Sequence, residues 1–339
     1  MATYGATGQS WKGTGPYGAL TRGNCLGCHG MGTANKIETI GGSDIPQVYH
    51  INATEDLAGG NFAYITGAKS CVTADQNSAG HNVIDLGVAY NETVLTDAPG
   101  RYHDPAARNT ELTCAGNNGC HGWRQFGASG SGLTSLKGAH HQNVEGKCNT
   151  ATGSYNSYRF LWGVKGLENT TDKWQNKDKN SHNEYFGATS PMVGSDCNDC
   201  HDINPPFTMK IRPVNYTISG FCATCHGQFH VLSGIGGDTL SPFTRHPTDV
   251  TLPNSGEYTA YTTYSVEAPV ARATVPDSPS PTVDPTGTAD DIVMCLSCHA
   301  AHATPYADML RWDYTTMIAG GGSGSGGCFT CHTQKNQTP

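Results

Sequence analysis

Five times in this chain two cysteines separated by two residues are followed at once by a histidine: CLGCH from Cys25, CNDCH from Cys197, CATCH from Cys222, CLSCH from Cys295 and CFTCH from Cys328. One turn of backbone suffices to bring all three groups to a single macrocycle. The two sulfurs then form thioethers to porphyrin vinyl groups, and the imidazole falls beneath the iron as its proximal ligand. Structural zinc uses thiolates and imidazoles at similar spacings but does not need a histidine directly after the second cysteine. Histidine is only 15 of 339 residues, so its presence after all five pairs is not chance. The units therefore read as c-type haem attachments. Thioethers come from Cys25, Cys28, Cys197, Cys200, Cys222, Cys225, Cys295, Cys298, Cys328 and Cys331, and proximal iron ligands are His29, His201, His226, His299 and His332.

A sixth unit is looser. Cys114 to His121 reads CAGNNGCH, with five residues between Cys114 and Cys120. Gly116, Asn117, Asn118 and Gly119 are residues that turn a chain tightly, so the three surplus residues are expected to loop out while both sulfurs still reach the vinyls. His121 is then its proximal ligand; the competing reading is a disulfide pair beside a stray histidine. Six haem c groups are expected in all.

Composition agrees with a chain wrapped around cofactors. Only 36% of residues are apolar and 43 are glycine, too thin a supply for a conventional core of this length. The expected fold is mostly coil with short helices and a few β hairpins, organised by the haems. Its domains are an extended N-terminal arm over 1–24 and one haem-wrapped body over 25–339. Twelve of the 14 cysteines belong to the six units. The remaining two, Cys71 and Cys148, are either a disulfide or two free thiols. A formal net charge of −8 argues against nucleic acid, and a charged fraction of 14% gives a neutral surface that favours association. Haem is attached to such motifs outside the cytoplasmic membrane, so export is expected. The first residues lack both the basic and the apolar region of a signal peptide, which suggests a mature or trimmed chain. No apolar run has the length of a membrane helix.

Along the chain, the segments AGGNFAYITG and HNVIDLGVAYNETVL read as short strands between glycine turns. Residues 155–186 hold the densest aromatics and are expected to form an apolar satellite near the second and third haems. Residues 242–292 read as β ribbon and loop, with the run PDSPSPTVDPTGTADD packing over a haem edge. The proximal histidines are unevenly spaced, so the chain is not a tandem repeat.

Nine histidines lie outside the units, and bis-imidazole ligation of six haems needs six. His230 and His302 follow a proximal histidine too closely to cap its own iron, but are well placed to ligate a neighbouring haem. His246 precedes Pro247, and His81, His182, His140 and His141 sit in Gly- or Asn-rich loops able to approach a porphyrin; these seven are the distal candidates, with His50 and His103 behind them.

The blocks LAGGNFAYITG, GHNVIDLG, CAGNNGCHG, LKGAHH, RHPTDV and IVMCLSCHAAHATPYADMLRWDY, with the CxxCH units, resemble the multihaem c-type cytochromes of metal-reducing, electron-exporting microbes, over most of the chain from Cys25 to His332. Some members of that group polymerise into extracellular filaments in which haems stack continuously and one subunit supplies a distal histidine to the next. The resemblance implies electron transfer along closely spaced haems, head-to-tail self-association, redox proteins or extracellular acceptors as partners, and an extracellular or cell-surface location, with the periplasm as alternative. Two other functions fit less well. A soluble electron shuttle needs the same haems without polymerisation. An oxyanion reductase needs an iron with an open position, and the chain has no CxxCK variant and a surplus of histidines. No catalytic residue is assigned.

Overall fold

The computed structural model describes residues 3–4, 9–10, 25–30, 34–40, 43–52, 55–73, 75–87, 98–99, 112–115, 119–121, 161, 163–188, 217–223, 225–226, 229, 246–285, 291–321 and 324–336. Regular structure is sparse within them. Two α-helices, α1 (Leu26–His29) and α2 (Ile218–Ala223), are a turn or two long. Strands pair only in twos. Antiparallel pairs join β1 (Thr3–Tyr4) to β2 (Gln9–Ser10), β3 (Ile37–Ile40) to β4 (Ser43–Pro46), β7 (Val164–Gly166) to β8 (Asn183–Tyr185), and β9 (Val250–Thr251) to β10 (Ile292–Val293). The β5 (Thr113–Ala115) and β6 (Gly119–His121) pair is parallel, with Thr113 opposite Gly119 and Ala115 opposite His121. The fold is mostly coil with short helices and small strand pairs. Among the described residues no helix is long and apolar enough to cross a membrane.

Among the described residues there is no single core. Three apolar clusters form instead, and each has a motif cysteine at its margin. Val164, Tyr185, Ile218, Phe221, Ala271, Ile292, Met294 and Leu296 pack together with Cys120 against them. Phe62, Tyr64, Ile65, Ala79, Val83 and Ala303 border Cys114. Leu252, Tyr261, Tyr264, Val270, Val283 and Val293 border Cys331. Each is too small to hold a chain of this length unaided. A large apolar group bonded at those cysteines would extend all three.

Two segments expected as strands hold 3-10 turns in their described parts. Phe62–Tyr64 and Ile84–Leu86 each make one. Asn61 decides the first: its side chain accepts from the Ala63 N–H and caps the turn, while Gly60 at φ +88° turns the chain into it. The ribbon expected over 242–292 reduces to the two-residue β9 and β10 pair and single bridges such as Thr263 with Thr282.

The Pro- and Ser-rich run after residue 275 covers a buried ionic network. Arg272 donates from Nε to Glu184 (3.0 Å), from one terminal nitrogen to Asp291 and from the other to the Thr282 carbonyl (2.7 Å). Ser280 N–H donates to Glu184 (2.7 Å), and Lys165 reaches Asp277 and the Pro276 carbonyl. That network holds the described part of the run in place. Residues 163–188 contribute Val164 and Tyr185 to the first apolar cluster and Glu184 to the network, so the expected satellite merges with its surroundings.

Candidate functional site

The four CxxCH units that lie within the described residues fold alike. His29 N–H donates to Cys25 O (3.0 Å), His226 to Cys222 O (3.0 Å), His299 to Cys295 O (3.1 Å) and His332 to Cys328 O (3.0 Å). Each unit is therefore one helical turn closed between its first and fifth residues, which gathers two thiols and an imidazole on one side. In the looser unit the parallel register sets Cys114 alongside Cys120, and only residues 116–118 lie between the strands. The unit Cys197, Cys200, His201 lies outside the described residues, as do Cys148, His103, His140, His141 and His230.

Backbone carbonyls orient most of the imidazoles. Nδ1 of His29 lies 2.8 Å from Pro46 O, that of His226 2.6 Å from Pro99 O, and that of His299 2.7 Å from Asp308 O. His81 Nδ1 lies 2.7 Å from Ala301 O, and His246 Nδ1 2.8 Å from Pro247 O. His332 Nδ1 instead faces a Glu257 carboxylate oxygen at 3.1 Å. An oxygen that only accepts requires the proton on Nδ1, so Nε2 keeps its lone pair for a metal.

Three motif histidines each face a histidine from elsewhere in the chain. Ring centroids are 6.2 Å apart for His81 and His226, 6.1 Å for His121 and His302, and 6.1 Å for His246 and His332. Two imidazoles bound to one metal from opposite sides, each nitrogen about 2 Å from it, hold their centroids roughly 6 Å apart. The spacing therefore fits an iron between each pair. Protonation fits as well. Burial, helped by the neighbouring His81, pushes His226 down to about 4. Burial and then His121 push His302 down to about 3. Neutral imidazole is the form that binds metal.

The thiols of different units also meet. Sγ of Cys25, Sγ of Cys114 and a carboxylate oxygen of Asp85 lie within 4.8 Å of one another. Hydrogen bonding with Cys114 lowers the Cys25 thiol and raises that of Cys114. Cys222 is raised first by its hydrogen bond with Cys295, and α2 packs beside the turn at Cys295, where Ser219 Oγ accepts from the Cys295 N–H at 3.3 Å. The units that begin at Cys25 and Cys114, and those that begin at Cys222 and Cys295, are thus direct neighbours. Two thiols from separate haem motifs plus one carboxylate fall short of the four-ligand shell of structural zinc.

Two candidate histidines are arranged otherwise. His182, expected in an Asn-rich loop able to approach a porphyrin, is wholly buried. Nδ1 lies 3.0 Å from Asp178 O, Nε2 lies 3.1 Å from Glu184, and the ring stacks on Tyr264 at 3.7 Å. Both nitrogens are engaged, leaving none for a metal. His50, also fully buried, accepts at Nδ1 from the Asn52 N–H (3.2 Å) and turns Nε2 toward Asp56 at 3.6 Å. Cys71 Sγ lies 3.3 Å from the Tyr64 carbonyl, and Cys148, with which it forms either a disulfide or a pair of free thiols, is outside the described residues. Sequence reasoning missed the second layer: Glu257, Asp85, Phe62 and the orienting carbonyls. The carbonyls carry no side-chain signal.

Residues 288–337, holding the last two units, match the family described as Doubled CXXCH motif. The C-type cytochrome OmcS of Geobacter sulfurreducens (strain ATCC 51573 / DSM 12127 / PCA) is 26% identical over 364 residues, spanning 91% of this chain and 76% of the relative. The chain resembles a multihaem c-type cytochrome. Covalently held haem c is the cofactor that this likeness and the motifs support. Two solved structures also align. One, described as the Outer Membrane Cytochrome S Filament from Geobacter sulfurreducens, has 20% identity and a TM-score of 0.37, over 78% of this chain and 68% of that one. The other, described as cryo-EM of the OmcS nanowires from the same organism, has 18% identity and a TM-score of 0.40, over 77% and 67%.

Proposed function

We propose that this chain is an electron-transfer protein that holds six haem c groups covalently, each iron between two histidines, and that it is the subunit of an extracellular conductive filament. The observation that carries this reading is the set of three histidine pairs at 6.1 to 6.2 Å, each joining a motif histidine to one outside the motifs. In this assignment His302 serves the iron of His121, His81 that of His226, and His246 that of His332. The irons of His29, His201 and His299 take their distal ligands from His103, His140, His141 and His230. His182 leaves the distal set because both of its ring nitrogens are committed to protein groups, and His50 leaves it because Nδ1 accepts from the Asn52 N–H, which puts the proton of the neutral ring on Nε2.

Bound haem supplies a one-electron couple that needs no substrate pocket. The chain's own residues orient the imidazoles through Nδ1, exclude water with the three apolar clusters, and bring neighbouring motifs together at Cys25 with Cys114 and at Cys222 with Cys295. The body is taken as residues 25–339 and the arm as 1–24, docking on a neighbouring copy. Head-to-tail contacts that do not close into a ring generate filaments, and the name of the OmcS filament supports that assembly for this chain. The location is extracellular or at the cell surface.

Imaging of the native extracellular fraction, with haem staining of the same material, tests the reading. Long fibres built from this chain are expected. Discrete haem-containing particles, under conditions that preserve assemblies, favour a soluble extracellular or periplasmic shuttle instead.

A further inference from the structure

The segment Leu57–Tyr64 sits against His302 in a way that ligation alone does not explain. His302 N–H donates to Gly59 O (2.7 Å), Asn61 N–H donates to Ala303 O (2.8 Å), and Gly60 bridges Ala303 in parallel. On another side, His81 N–H donates to His302 O (3.1 Å), Thr304 N–H donates to Ala79 O (2.9 Å), and Gly80 bridges Ala303. Residues 302–304 are thus held between two glycine-bearing segments. Phe62 stacks on the His302 ring at 4.8 Å with planes 28° apart. A Cβ on Gly59 meets His302 Nδ1 at 2.8 Å and Cε1 at 2.9 Å, closer than carbon and nitrogen approach without displacement.

A polar cluster fixes this segment. Asn61, fully buried, donates to His50 O (2.9 Å) and to Asp56 (2.9 Å). Tyr64 OH (2.7 Å) and Lys69 (2.7 Å) donate to Asp56 as well. The hydrogen bonds tie the segment down beside the point where Gly59 meets the His302 ring.

We infer that Gly59 and Phe62 are positioning residues for the iron between His121 and His302: the bare backbone of Gly59 admits the His302 ring, and Phe62 holds its plane. The inference rests on the reading of His302 as a distal ligand. Gly59 lies at φ outside the left-handed region, so alanine keeps the backbone; its added methyl acts on the ring alone.

The test uses the full, haem-loaded chain with the substitutions G59A, F62L, H302A and the double G59A/H302A, read by haem-to-chain ratio, ferric spin state and carbon monoxide binding after reduction. H302A is expected to open one iron per chain. G59A is expected to open the same iron at an unchanged haem ratio, and F62L a fraction of it, while the double variant opens one and not two. A G59A and an F62L protein that stay wholly low-spin with wild-type spectra, beside an H302A protein with one open iron, overturn the inference and leave the ligand reading intact. Two open irons in the double variant overturn it too. An H302A protein with no open iron overturns both.

Discussion

His246 and His332 cross their ring planes at 81° with centroids 6.1 Å apart, whereas His81 crosses His226, and His121 crosses His302, at 47°. Crossed imidazoles donate to two different iron d orbitals and leave them nearly equal in energy, which makes a ferric low-spin signal more anisotropic. The haem at Cys328 is therefore expected to give a larger maximum g value than the two 47° haems. Electron paramagnetic resonance of wild type and H246A checks this: the substitution removes that signal and leaves the 47° pairs unchanged.

Glu257 gives the same haem a second distinction. Its carboxylate faces His332 Nδ1 at 3.1 Å, where other oriented motif histidines meet carbonyls. A charged acceptor makes the imidazole a stronger donor and favours the ferric state. E257Q is expected to raise the potential of one haem by on the order of 40 mV, about 1 kcal/mol for one electron. A spectroelectrochemical titration reads it.

Arg272 joins Glu184, Asp291 and the Thr282 carbonyl through three nitrogens. Both carboxylate side chains are fully buried. R272M leaves them without their cation and is expected to cost about 3–5 kcal/mol in denaturant unfolding. R272K recovers only part, because one ammonium lacks the planar fork that reaches three acceptors.

His182 belongs to this network. H182A is expected to lower stability by about 1–3 kcal/mol while leaving every haem low-spin. Carbon monoxide binding by the reduced variant decides between this role and iron ligation.

Glu55 is tied to Lys36 and, at 2.9 Å, to Lys177, and those hydrogen bonds hold its carboxyl down to about 2. An acid with a depressed folded pKa stabilises above its unfolded value of about 4.3 and loses that contribution as pH falls through the folded one. The carboxylate is exposed, so E55Q is expected to cost less than about 1 kcal/mol at neutral pH. The difference from wild type closes as pH falls from about 4 to about 2, in thermal melts taken across that window.

The cofactor motifs were legible because their spacing is local: a turn closed from Cys to His is written in five residues. Distal pairing was not, since His302 facing His121 depends on how distant segments pack. The strands expected at Phe62 and Ile84 failed because apolar runs of three or four residues do not distinguish a strand from a 3-10 turn; Asn61 and Gly60 carried the deciding signal. His182 had a visible clue as well. Glu184 follows it at strand spacing, which sets both side chains on one face within reach of each other.

The most direct test of the account is haem stoichiometry and spin state measured on one native sample. Six thioether-bound haems per chain, all low-spin and closed to carbon monoxide, is the result the account predicts. Fewer than six, or an iron that binds carbon monoxide in the native protein, contradicts it.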